Sequence, residues 1–265
     1  MIGAIVGDIV GSRFEWNNLK KKDFRFFHKR CCFTDDSTMT LAVAEALLRC
    51  QGDFTNLGEE TVKSMQEIGR AYPKAGYGGT FYEWIFSDDP KPYNSWGNGS
   101  AMRISGCGYA GNSLDEVKTI SRMVTETTHN HPEGIKGAEA AAVAEYLART
   151  GAGMEEIRKY ITSNYYPLDF TLDEIRKDYK FDVSCQGSVP QALEAFFEST
   201  SFEDAVRNAV SIGGDSDTIA AITGGIAEAY YGVPADIRET ALSYLDDRLR
   251  SIVFEFEKVY PVRHL

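Results

Sequence analysis

Nothing in this chain reads as a disulfide framework. Its five cysteines are odd in number, Cys31 and Cys32 are adjacent, and no C-x-x-C spacing occurs. Reduced thiols in a cytoplasmic protein are the expectation. No apolar run approaches the roughly 20 residues of a membrane-spanning helix. The opening MIGAIVGDIVG is apolar but is interrupted by Asp8 and has no basic stretch before it, so no signal peptide is expected. Basic character is scarce too. The net charge is −11 and the one basic cluster, Lys20–Lys22, is short, which argues against a nucleic-acid partner. No stretch alternates apolar and polar residues between hairpin turns, so strands are not expected. Neither a Walker loop nor a Ser–His–Asp or Cys–His arrangement is evident. There is no internal repeat, low-complexity tract or linker.

What remains is an ordinary globular composition, 43% hydrophobic and 25% charged over 265 residues, enough for a substantial core. We read a single all-α domain over residues 1–265, of a dozen or so helices. The clearer periodic segments are 36–49, 59–72, 114–127, 133–149, 154–163, 172–179, 202–211 and 218–231, with two more helices within 237–257. Pro190 is expected in the first turn of a helix over 190–198. Gly3, Gly7 and Gly11 recur at i, i+4 spacing near the front. On a helix they form a smooth stripe that lets another backbone approach closely.

Two acidic segments stand out, Phe33–Thr38 (FTDDST) and Gly213–Thr218 (GGDSDT), each placed before an apolar helical run. Asp, Ser and Thr there are ordinary helix caps, and either segment alone is read that way. The duplication says more. A cap needs one short polar side chain, whereas each segment offers two carboxylates and a hydroxyl. Brought together, four carboxylates repel unless cations lie between them. Oxygen ligands without Cys or His favour a hard ion such as Mg²⁺ or Mn²⁺. Between the two segments, Ser95–Gly99 (SWGNG) enters a helix and can present backbone N–H groups to an anion, with Trp96 beside them to stack on a base. The pair His129 and His131 reads as hydrogen-bonded loop histidines rather than a zinc site.

Taken in order, GAIVGDIVGSRFE, FTDDSTMTLAVAEALL, SWGNGSAMR, the TH before a long helix, GSVPQAL and GGDSDTIAAITGGIAEAYYG resemble the ADP-ribosylglycohydrolase family, across residues 2–232. The resemblance implies an all-α fold with two Mg²⁺ or Mn²⁺ ions at the base of a cleft. It implies Thr34, Asp35, Asp36, Asp215, Asp217 and Thr218 as metal ligands. Ser95, Trp96, Gly97, Asn98, Gly99 and His129 would hold ADP-ribose. Glu15 would contact the metal site or its water, on a loop that can move. Ser216 stands where the family often has Thr and Ile219 where it often has a polar residue; neither change removes a ligand.

The implied reaction is hydrolysis at the anomeric carbon of ribose, with Glu15, or one of Asp35, Asp36 and Asp217, taking the proton. The substrate would be an ADP-ribosylated protein or a small ADP-ribose conjugate, acted on by a monomer. The competing readings are a non-catalytic ADP-ribose or nucleotide binder on the same scaffold and a metal-dependent nucleotide phosphohydrolase. Specificity for the leaving group is expected in the loops 13–32 and 74–94.

Overall fold

A computed structural model describes residues 1–262; the last three residues of the expected 1–265 domain lie outside it. Among the described residues there are fifteen α-helices and no strand beyond one isolated bridge, Gly97 with Ser184. The all-α expectation holds.

The helix Ile2–Gly11 is buried along its whole length, Asp8 included. Its glycine stripe is the reason it can lie where it does, backbone to backbone against the helix Ser216–Tyr231. A Cβ on Gly7 would stand 2.0 Å from the Ala220 carbonyl oxygen, and one on Gly3 would stand 2.3 Å from that of Gly224. Helices with ordinary side chains at the contact sit about 8–10 Å apart; larger residues here would force this pair open. The apolar residues of the first helix, Ile2, Ile5 and Ile9 among them, are fully buried, each worth roughly 1.5–3 kcal/mol relative to exposure.

The second acidic segment enters that same Ser216–Tyr231 helix, and the first enters Asp35–Cys50. Thr34 is the N-cap of Asp35–Cys50, its hydroxyl accepting from the Asp36 N–H at 3.2 Å. The cap reading of this threonine is therefore correct, whatever else the segment does. Ser113 and Ser201 cap Leu114–Thr125 and Phe202–Ser211, and Pro132 opens Pro132–Arg149. The C-terminal part forms the two expected helices, Ala235–Leu242 and Asp247–Val259.

Several boundaries differ from expectation. The helix expected from Pro190 begins earlier, at Cys185, so Pro190 lies inside it rather than in its first turn. Ser184 supplies the start signal there, capping the helix through the Gly187 N–H at 3.1 Å. The segment after Leu172 closes after five residues, at Arg176. Two short helices, Gly99–Met102 and Ser105–Ala110, had no periodic signature because they are only about a turn or two long.

Candidate functional site

The two acidic segments and the SWGNG loop meet at one cavity of about 780 Å³. Glu15, Asp35, Asp36, Asp215, Asp217 and Thr218 line it, together with Ser95, Trp96, Gly97, Asn98, Gly99 and His129. Of the residues expected from sequence, Thr34 is the exception. Its hydroxyl is turned to Asp8, donating to Oδ1 at 2.7 Å.

The carboxylates form two overlapping triplets, Asp8 with Asp36 and Asp217, and Glu15 with Asp215 and Asp217. In each, one oxygen from every member lies within 4.8 Å of the others. Asp217 belongs to both because it sits in the first turn of its helix, between the two groups. Asp35 lines the cavity but joins neither triplet; its N–H is held by the Ala75 carbonyl at 2.9 Å. Thr218 donates its hydroxyl to Asp36 Oδ2 at 3.2 Å.

Burial and mutual repulsion shift these groups. Burial, then the charges of Asp215 and Asp8, pushes Glu15 up to about 7. Burial and Asp8 push Asp35 to about 7. Asp36 and Asp217 are held well above the usual carboxylate range, first by burial and then by neighbouring carboxylates. Asp36 Oδ1 and Asp217 Oδ1 are buried and find no hydrogen-bond donor among the described residues. Buried oxygens without donors, clustered with no Cys or His among them, are a donor set that could hold a hard divalent cation.

Asp8 was missed as a functional residue. Its carboxylate accepts from the Thr34 N–H at 2.9 Å, the Thr34 hydroxyl, the Ser37 N–H at 3.0 Å and the Ser37 hydroxyl. It therefore fastens the N-terminus of Asp35–Cys50 while facing Asp36 and Asp217. Burial still raises its pKa, against those four bonds. A signal was present in the sequence: a single carboxylate inside an otherwise apolar helical run.

The SWGNG loop offers fewer free N–H groups than its composition suggests. The Gly97 N–H is taken by the Ser95 hydroxyl at 3.1 Å, and that of Asn98 by the Val183 carbonyl at 2.7 Å. The Asn98 side chain reaches the acidic turn and donates to Asp215 Oδ2 at 2.7 Å and to Ser188 at 3.0 Å. Trp96 is half exposed at the cavity wall, its ring against His131. His129 is buried, with Nδ1 2.7 Å from the Thr128 hydroxyl. Burial, with the nearby Arg103 charge adding to it, holds His129 well below its ordinary value and hence neutral. Arg103 itself is a second missed cavity residue, buried with its guanidinium 4.6 Å from the Phe81 ring centre. The rim comes from Glu15–Trp16, Gly76–Phe81 and, beyond the two loops expected, Phe181–Ser184. Trp16 stacks on Phe181 across it, with ring centres 5.3 Å apart.

Fold and site thus define an all-α protein whose cavity joins a cation-suited carboxylate cluster to a glycine- and aromatic-lined wall. Residues 1–263 match the ADP-ribosylglycohydrolase family, and the chain belongs to it. It is similar to an ADP-ribosylhydrolase ARH3 of Xenopus tropicalis, 24% identical over 93% of this chain and 91% of that protein. An ADP-ribosylarginine hydrolase Tri1 of Pseudomonas putida is 26% identical over 96% of this chain and 76% of its own length. An uncharacterized protein of Archaeoglobus fulgidus is 31% identical over 74% of this chain and 71% of its own. A solved structure described as an ADP-ribosylglycohydrolase-related protein complex shares the fold, with TM-score 0.68 and 22% identity over 98% of this chain and 97% of the other. Among the described residues, no helix is long and apolar enough to cross a membrane.

Proposed function

We propose that this protein hydrolyses the glycosidic bond between ADP-ribose and an acceptor, a protein side chain or a small molecule, and releases ADP-ribose. One observation carries the reading: Asp36 and Asp217, each with a buried oxygen that finds no donor among the described residues, line the same cavity as the SWGNG loop and His129. Asp8, Asp36, Asp215 and Asp217 would hold divalent cations, two Mg²⁺ or Mn²⁺ ions, with Glu15, Asp35 and Thr218 beside them. When bound, such ions supply positive charge that orients ribose hydroxyls and makes a water more acidic.

The chain's own residues then divide the work. Glu15, half-buried and with a pKa near 7, is suited to take the proton of the attacking water at the anomeric carbon. Asn98 fixes the Asp215 carboxylate. A Thr128 hydroxyl donating to Nδ1 leaves the His129 proton on Nε2, which faces Gly97 and Gly99 and can donate to a ligand oxygen there. Gly97 and Gly99 leave room for that ligand, and Trp96 offers a face for its base. Residues 1–265 would act as one domain, in the cytoplasm and as a monomer.

The test is turnover of ADP-ribosyl-arginine peptide, ADP-ribosyl-serine peptide and O-acetyl-ADP-ribose, with Mg²⁺ or with EDTA, following free ADP-ribose. Release with Mg²⁺, abolished by EDTA and by Asp215→Ala, supports the reading and names the leaving group. Tight ADP-ribose binding without release from any substrate would point to a binder. AMP with ribose phosphate as products would point to pyrophosphate cleavage.

A further inference from the structure

The segment carrying Glu15 has little regular structure to hold it. After the first helix ends, residues 12–17 are joined by short-range backbone bonds such as Phe14 N–H to the Gly11 carbonyl, 2.7 Å, and Asn17 N–H to that of Phe14, 3.1 Å, and by contacts of Ser12 with Cys32, Arg13 with Arg25 and Trp16 with Phe181. None of these reaches the acidic turn Gly213–Asp215. Asn18 does. Its Nδ2 donates to the carbonyls of Phe14, Glu15 and Gly214, each at 2.9 Å, and its Oδ1 accepts the Gly214 N–H at 2.8 Å. One side-chain amide therefore uses its acceptor and its two hydrogens, one of them shared between two carbonyls, to join backbone segments 196 residues apart in sequence.

The turn it grips is unusual. Gly213 and Gly214 have φ of 69° and 74° in succession, a conformation open to glycine and strained for other residues. Asn18 pairs with both the N–H and the carbonyl of Gly214, the residue immediately before Asp215. Its other hold is on the carbonyl of Glu15 itself. The two carboxylates that must approach Asp217 are thus set against each other by a residue that touches neither carboxylate. Lys20 adds a second tether, its ammonium donating to the carbonyls of Ile212 and of Tyr179, the latter at 2.6 Å.

We infer that Asn18 is a positioning residue whose side-chain amide sets the register between the Glu15 segment and the Gly213–Asp215 turn, and so the spacing of the Glu15–Asp215–Asp217 triplet. This rests on the reading of that triplet as part of a cation site. Asn18 is exposed, so its replacement opens no hole in the core. Asparagine alone fits the task at this length: aspartate keeps the acceptor but has no donor for three carbonyls, and alanine has neither.

The experiment uses the full chain with Asn18→Ala, Asn18→Asp, Glu15→Gln and the Asn18→Ala/Glu15→Gln pair, and two readouts. In hydrogen exchange, Asn18→Ala should speed the Gly214 amide and peptides within 13–20 by about tenfold or more, leaving the core helices unchanged. Asn18→Asp should retain more protection at Gly214 than Asn18→Ala does. In Mn²⁺ titration calorimetry, Asn18→Ala should weaken binding by about tenfold, the scale of coupling within one network, and should cost little more when Glu15→Gln is already present. Unchanged exchange in Asn18→Ala overturns the inference. So does an additive effect of the two substitutions on Mn²⁺ affinity, which would mark Asn18 as a structural tether only. If the parent protein binds no Mn²⁺, the cation reading fails instead, and exchange alone decides whether Asn18 sets the register.

Discussion

The Asn98 side chain donates to the Asp215 carboxylate at 2.7 Å, across 117 residues of sequence. The glycine loop that faces the cavity and the acidic turn that would hold cations are therefore one mechanical unit. The same Asn98 is tied through its backbone to Val183, so the third rim segment belongs to the unit as well.

Asn98→Ala should consequently damage the carboxylate site as well as ligand binding. A hydrogen bond to a charged group is worth about 1.5–3 kcal/mol, which corresponds to a loss of roughly tenfold or more in Mn²⁺ affinity. Calorimetric titration of the variant checks this. Weakened ADP-ribose binding with intact Mn²⁺ affinity would mean that Asn98 serves the ligand alone.

Removing one carboxylate should stabilise the cation-free protein. Asp36 and Asp217 are buried beside other acids, each with an oxygen that has no donor among the described residues. In Asp217→Asn, repulsion falls and the transition should rise by about 2–4 °C per kcal/mol gained, while turnover collapses. Thermal melts in EDTA read the first effect and ADP-ribose release the second. A lower melting point in EDTA would contradict the picture of an uncompensated cluster.

Stability without divalent cations should fall as pH rises. Glu15 and Asp35 are pushed to about 7 in the fold, from ordinary values of 4.5 and 3.8, and buried Glu145 to about 8 from 4.5. The folded state thus binds more protons than the unfolded state over this range. The contribution is full below about pH 4 and is lost as pH rises through 7 to 8. Melting curves in EDTA from pH 5 to 8.5 should show the decline, and added Mg²⁺ should remove the cavity's share but leave that of Glu145. A flat profile in EDTA would refute the assignment.

Gly7→Ala should unfold or severely weaken the protein. Its new methyl group would meet the Ala220 carbonyl at 2.0 Å, backbone against backbone, where nothing can rotate away. A cost of about 3 kcal/mol or more is expected from overpacking of this kind. Gly153→Ala is the control, because among the described residues nothing beyond its own chain neighbours lies within 4 Å of its added carbon. Chemical denaturation of the two variants gives the comparison.

How much of this was legible in the sequence differs by residue. The acidic segments could be read because two carboxylates and a hydroxyl exceed what a helix cap needs, and the glycine stripe because its period matched a helix. Asp8 was not read as functional, since one polar residue in an apolar run looks like an interruption until its partners at Thr34 and Ser37 are seen. Arg103 was missed for a similar reason: nothing local marks an arginine whose setting is a ring at Phe81. The start of the Cys185–Phe197 helix was masked by Pro190, which signals a first turn but lies within the helix here. Asn98 looked like a loop residue facing a ligand. Only the fold shows that its amide turns to Asp215.

The embrace of the helices Ile2–Gly11 and Ser216–Tyr231 also sets a timetable. Asp215 and Asp217 leave the ribosome some 200 residues after Asp8. At ordinary synthesis rates that interval is on the order of 10–40 seconds. Throughout it the first helix has Asp35–Cys50 beside it, but the face that meets Ser216–Tyr231 stays uncovered. A half-made chain would therefore be both inactive and sticky, and the burden of shielding it falls on whatever meets nascent chains at the exit tunnel.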